Sequence, residues 1–134
     1  MKGKLLDASA LINIMIGSGS RALELLNAQF VLDLTVYEVG NVLRRLAKFE
    51  GKISASQACS LLDSFLLLVQ YMQVLTINGM ENSVKELSLE KNLTFYDASY
   101  LAAAEKNSLA LVTDDKQLTE AAGNKVKVLK STDL

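Results

Sequence analysis

The 134-residue chain contains no histidine and no proline, and only one cysteine, Cys59. Without histidine, Ser-His-Asp and Cys-His nucleophilic catalysis, His-ligated zinc hydrolysis and paired-histidine acid–base catalysis are excluded. Any catalysis must rest on carboxylates, Lys, Tyr or a cofactor. One cysteine cannot close an internal disulfide, which suits a reducing compartment such as the cytoplasm. Without proline, the turns must rely on Gly, Asn, Asp and Ser. Long hydrophobic runs are also missing. The most apolar stretch, from Leu61 to Met72, is interrupted by Asp63, Ser64 and Gln70. It falls short of the ~20 residues that a membrane span needs. The start, Met1-Lys2-Gly3-Lys4, turns directly into Leu5-Leu6-Asp7 with no signal-peptide pattern. A soluble cytoplasmic protein without membrane association is expected.

Half of the residues are hydrophobic and 22% are charged. That is enough apolar material for a core at this length and too little charge for disorder. One domain over residues 1–134 is expected. The formal net charge of −1 does not suggest a nucleic-acid binder. Bulk charge is not decisive, however. If several carboxylates are committed to metal ions, the rest of the chain carries a net positive charge.

Short apolar runs alternate with longer helical patterns, which predicts an α/β fold around a mainly parallel sheet of about five strands flanked by helices. The strand candidates are Lys4–Leu6, Phe30–Leu32, Val74–Thr76, Ala110–Val112 and Lys125–Val128. The last alternates lysine and valine, as an edge strand should. Helices are predicted from Asp7 to the Gly17-Ser18-Gly19 break, over Arg21–Leu26, and from a Thr35 cap to near Gly51. Further helices are expected from Ser54 or Ser56 to about Tyr71, over Met80–Glu90, after a Thr94 cap, and from Asp114 or Asp115 to Gly123. The helix ending near Tyr71 is apolar around most of its circumference. Burial in the core is expected for most of its leucines, and a protein interface is the alternative.

Four acids sit where strands end or helices begin. Asp7 and Asp115 follow apolar strands, where open α/β sheets place ligand crevices. Each also reads as a helix N-cap. Glu38 and Asp97 lie three residues after Thr35 and Thr94, the spacing of a capping box. Asp97 opens a helix of small apolar residues, Ala98 to Ala104, so it is an acid on a packed helix start with no neighbouring arginine. A metal ion is a natural partner for such a group. Brought together, these carboxylates would repel one another, and a divalent cation relieves that repulsion. Hard oxygen ligands without His or Cys favour Mg²⁺ or Mn²⁺ over zinc.

The segments Leu5-Leu6-Asp7-Ala8-Ser9-Ala10-Leu11, Tyr37-Glu38-Val39-Gly40-Asn41-Val42-Leu43, Thr94-Phe95-Tyr96-Asp97-Ala98-Ser99-Tyr100 and Leu111-Val112-Thr113-Asp114-Asp115-Lys116 occur in this order. Together they resemble the four motifs of PIN domains, most nearly those of VapC-type toxin ribonucleases from toxin–antitoxin pairs. The resemblance covers nearly the whole chain. It implies that Asp7, Glu38, Asp97 and Asp115 are the catalytic, metal-holding acids of an RNA-cleaving hydrolase. Thr113 and Ser9 would be polar supports and Asp114 a secondary acid. Asn41, one helical turn beyond Glu38, would face the same side. The resemblance also implies an RNA substrate, a 5′-phosphate and a 3′-hydroxyl in the products, a cognate antitoxin and a homodimer.

Arg45, Arg44 and Lys116 are the cations expected to contact RNA, with Arg45 preferred because it lies two turns from Glu38 on roughly one face. No interleaved aromatics suggest base stacking, so selectivity is expected to come from RNA shape. A receiver-like phosphoacceptor domain fits less well, because its mid-chain acid must sit on a strand and Asp63 lies in a helical segment. A catalytically silent PIN-like module that binds RNA or protein is the remaining alternative.

Overall fold

A computed structural model describes residues 3–134. Five short strands form one sheet: β1 (Lys4–Leu6), β2 (Phe30–Leu32), β3 (Gln73–Leu75), β4 (Ala110–Val112) and β5 (Val128–Leu129), in the order β3-β2-β1-β4-β5. Every pairing is parallel. The expected edge position of the last strand holds, but pairing begins at Val128 rather than Lys125, and β3 starts one residue early.

The helices are α1 (Ala8–Ser18), α2 (Ala22–Leu26), α3 (Thr35–Arg44), α4 (Ala55–Val69), α5 (Glu81–Lys91), α6 (Phe95–Lys106) and α7 (Lys116–Ala122). Alternation along the strands decides which helices cover which face. Leu6, Val31 and Val112 point to one side and pack with Leu11 of α1, Leu26 of α2, Val39 of α3 and Phe65 of α4. Leu5, Leu32 and Leu111 point to the other side, against Val84 of α5, Tyr100 and Leu101 of α6 and Leu118 of α7. Both faces of the central strands are therefore covered, as a parallel sheet requires. Residues Ala98 to Ala104 of α6 are all buried: the alanines and Ser99 let the helix pack closely, and Tyr100 and Leu101 fill the core beside them.

Two expectations change. The segment after Thr35 is not one regular helix: α3 gives way to a wider π-helical turn, Arg45–Phe49. In α4, which Ser54 and Gln57 open with a reciprocal capping box, only Phe65 is buried. Leu66, Leu67 and Tyr71 are exposed. That helix lies at the periphery and uses one narrow stripe for the core.

Candidate active site

The strand order reverses at β1. The chain steps outward from β1 to β2 and β3, then returns to the other side of β1 for β4 and β5. In open parallel sheets the crevice beyond the carboxyl ends of the strands at such a switch point is the usual ligand site. Leu6 and Val112, the last residues of β1 and β4, are register partners. Asp7 and Thr113 follow them directly, so both are delivered to the crevice.

Asp7 is buried, and its carboxylate is held from three directions. Oδ1 accepts from Ser9 Oγ at 2.7 Å and from the Ala10 backbone N–H at 2.9 Å. The buried Thr113 hydroxyl donates to Oδ2. Thr113 Oγ1 also accepts from the Asp115 N–H at 3.0 Å, which ties the two strand-end acids together. Asp7 caps α1 and Asp115 caps α7, the latter through Oδ1 alone. The capping and site roles of these two acids therefore coexist.

At Glu38 the capping-box reading fails. Thr35 turns its hydroxyl back to the Leu32 N–H at 3.0 Å and to Tyr100 Oη at 2.8 Å. Glu38 Oε1 instead accepts from Tyr100 Oη at 2.6 Å. Tyr100 belongs to α6 and Glu38 to α3, so this bond joins the helix layers on opposite faces of the sheet. Asp97 lies on α6 three positions before Tyr100, and Thr94 Oγ1 accepts its backbone N–H at 3.1 Å.

The acids do not form a closed cage. Among the described residues, no three His, Cys, Asp or Glu side chains converge tightly enough to hold an ion by themselves. They are nonetheless near enough to perturb one another. Burial pushes the Asp7 carboxyl above its ordinary range, and Asp114 adds to the effect. Burial also raises Glu38, with Asp97 and Asp7 contributing, and it raises Asp97, with Asp115 and Asp7 contributing. Among the described residues the ion pairs are Arg45–Glu50 and Lys52–Glu50, so none of these acids has a cationic side chain. An all-oxygen, repulsive and open arrangement fits a hard divalent cation, which keeps several waters and takes few carboxylates. It gives no thiolate or imidazole for zinc.

These shifts make a prediction. Because the folded carboxyls of Asp7, Glu38 and Asp97 are raised above their ordinary values of 3.8, 4.5 and 3.8, the native state binds protons more tightly than the unfolded chain. Their contribution is present at low pH and is lost as pH rises through the raised values. For Asp114, burial is outweighed by hydrogen bonds from Asn13 and Ser131, and its carboxyl is held low. Its contribution is lost only below 3.8. As pH rises above the ordinary value of 3.8, the Tm of EDTA-treated protein should therefore fall more steeply than that of its Asp7→Asn variant. Equal slopes in calorimetry would refute the assignment for Asp7.

The remaining predicted residues divide. Asn41 lines a cleft of about 450 Å³ with Leu34, Tyr37, Glu38 and Tyr96. Asp114 accepts from Asn13 Nδ2 at 2.7 Å and from the Ser131 N–H at 2.9 Å, which makes it a tie to α1 and the C-terminal segment. Lys116 is exposed next to Asp115. Arg45 is not poised toward Glu38: it pairs with Glu50 at 2.9 Å, and Arg44 lies 4.8 Å over the Phe49 ring. The π-turn that starts at Arg45 brings Glu50, five residues on, within reach of its guanidinium. The sequence reading missed Tyr100 and Thr35, which hold Glu38. It also missed the aromatic pair Tyr37 and Tyr96, whose partnership crosses two helices. The one signal available for that pair was a tyrosine directly before each helix-borne acid.

Comparison with known proteins identifies a family for the chain. A family model described as PIN domain matches residues 4–124, a span that holds all four acids. The protein named Exonuclease VapC9 of Pyrobaculum aerophilum is 35% identical over 88 residues, 66% of this chain and 62% of that protein, so the match spans less than two thirds of that relative. Ribonuclease VapC1 of Mycobacterium tuberculosis is 34% identical over 125 residues, 87% of this chain and 89% of that one. The crystal structure of PAE2754 from Pyrobaculum aerophilum superposes with a TM-score of 0.79 at 29% identity, covering 98% of this chain and 85% of the other.

Proposed function

The chain belongs to the PIN-domain family, and from that premise we propose that it is a metal-dependent endoribonuclease, the toxin of a VapC-type toxin–antitoxin pair. One observation carries the reading: Asp7, Glu38 and Asp97, at the switch point of the sheet, are each raised by burial and by other acids, without a cationic side chain to pair with.

Asp7, Glu38, Asp97 and Asp115 are the residues that would hold Mg²⁺ or Mn²⁺. Bound there, the ion supplies a water of lowered pKa and offsets charge on the scissile phosphate during in-line hydrolysis. The chain's own part is orientation. Ser9, Ala10 and Thr113 fix the Asp7 carboxylate in one rotamer, Thr113 relates it to Asp115, and Tyr100 fixes Glu38. Asn41 on the cleft wall offers the RNA an amide that both donates and accepts, and Lys116 offers a cation beside Asp115. Arg44 and Arg45 would meet RNA only beyond the crevice. The expected products carry a 5′-phosphate and a 3′-hydroxyl.

The exposed leucines of α4 support protein contacts, whether with a second copy or with an antitoxin. Among the described residues, no helix is long and apolar enough to cross a membrane, which is compatible with the proposed cytoplasmic location. The test is a circular, internally labelled RNA incubated with purified protein. Cleavage should require Mg²⁺ or Mn²⁺ and stop with EDTA. An intact circle under every metal condition, with linear RNA trimmed from its ends, would instead indicate an exonuclease. Binding without cleavage of either form would indicate a silent module.

A further inference from the structure

We propose that Tyr37 and Tyr96 form a stacking subsite for one unpaired nucleobase of the substrate, at the rim of the acid crevice. This rests on the reading that the crevice cleaves RNA, and it specifies which form of RNA is taken.

Helices α3 and α6 each carry a site acid with a tyrosine one residue ahead: Tyr37 before Glu38 and Tyr96 before Asp97. Successive helical residues are about 100° apart, so the residue beside a crevice-facing acid is turned toward its rim. Tyr37 is 78% exposed and Tyr96 60%, whereas Tyr100, one turn beyond Tyr96, is fully buried. The two exposed rings come from different helix layers, yet they line the same cleft of about 450 Å³ with Glu38, Asn41 and Leu34. That volume lies within the ~300–1,000 Å³ typical of small-ligand sites.

The lining selects the occupant. It contains no lysine or arginine, so it is not a phosphate pocket. The two arginines of this helix are held elsewhere, one by Glu50 and one over Phe49. What the cleft offers is two aromatic faces, one aliphatic side chain and an amide that both donates and accepts. A flat heterocycle with a polar edge uses all of these, and every base has a π-face to stack. A paired base keeps its faces in the helical stack, so the site requires a single strand, loop or bulge. The apolar surface better suited to a protein partner lies on α4, where Leu66 and Leu67 are exposed.

The test uses EDTA-treated protein and short single-stranded RNAs that carry 2-aminopurine at one position at a time. Stacking quenches its fluorescence. Quenching is expected at one position in the wild type and in Tyr37→Phe and Tyr96→Phe, and it should be lost in Tyr37→Ala and Tyr96→Ala. Each alanine variant should bind about 5- to 100-fold more weakly. Both side chains are exposed, so the fold should be unchanged by circular dichroism. With metal restored, KM should rise more than kcat falls, and duplex RNA should be a poor substrate throughout. Unchanged binding and quenching in the alanine variants would overturn the subsite even if the wild type cleaves RNA. Normal quenching with no cleavage by the wild type would leave the subsite standing and remove the nuclease reading. RNA binding unchanged but self-association altered would make the tyrosines a protein surface and would also overturn it.

Discussion

Asp97→Asn is expected to abolish metal-dependent RNA cleavage while leaving the fold intact, and Asp7→Asn to do the same. Loss of a partner that only orients a metal ligand typically costs about 10–100-fold, so removing an acid that touches the ion should cost more. Asp97 is half-buried and helix-borne. Its carboxyl is opposed by burial, by Asp115 and by Asp7, so an amide of the same shape removes repulsion without leaving a hole. At Asp7 the amide oxygen can keep the bonds from Ser9 and Ala10. The new N–H₂ faces Thr113 Oγ1, so the buried Thr113 hydroxyl loses its acceptor at a cost of about 1–3 kcal/mol, set against the relief of no longer burying a charge. The wild type should gain thermal stability on addition of Mn²⁺, because ligand bound only to the native state raises Tm by mass action. Neither variant should gain as much. Retained cleavage in both variants would remove these residues from the active site.

Tyr100→Phe is the second large effect expected, and it separates positioning from packing. The direction of each hydrogen bond follows from donor counting. Tyrosine has one hydroxyl proton, and it is committed to Glu38 at 2.6 Å. The 2.8 Å contact with Thr35 must therefore be donated by Thr35, which itself accepts from the Leu32 N–H. The chain runs from the end of β2 through Thr35 and Tyr100 to Glu38, and every proton in it points toward the carboxylate. Tyr100 is fully buried, and contact with Glu38 pushes its hydroxyl, already raised by burial, further above its usual range, so it stays a donor. Removing the oxygen leaves the Thr35 hydroxyl without an acceptor and should cost about 1–3 kcal/mol. It also frees Glu38 to rotate. Mn²⁺ affinity by calorimetry should fall about 10- to 100-fold. Combined with Glu38→Gln, the losses should be strongly less than additive. A lower Tm with unchanged metal affinity would make Tyr100 a packing residue only.

How far the sequence could be read depended on the distance over which each feature is determined. Leu5-Leu6-Asp7 and Leu111-Val112-Thr113 declare a strand end and an acid or hydroxyl within a few residues, and the topology then places them side by side. Glu38 was ambiguous because Thr35 has two uses, and only the position of Tyr100 decides between them. Tyr100 itself reads as core in an alanine-rich helix, since nothing local shows that its oxygen reaches a residue in the opposite layer. The Arg45–Glu50 pair was not legible, because regular helical periodicity stops at Arg45 and the π-turn sets which residue comes within reach of its guanidinium. The α4 leucines divide, with Leu61, Leu62 and Leu68 packed against the core and Leu66 and Leu67 in solvent, because apolarity around a helix does not say how many of its faces will find cover.

The pairing of β1 with β4 also sets a condition on how the protein is made. Leu5 lies beside Leu111, and the Thr113–Asp7 bond closes a span of 106 residues. A ribosome must therefore deliver almost the whole domain before the crevice has its second wall. Shorter nascent chains hold Asp7, Glu38 and even Asp97 without the strand that brackets them. Contacts this distant in sequence are slow to form. With the RNA-cleaving activity proposed above, the chain would stay inert during its own synthesis until β4, in its last fifth, adds to the sheet.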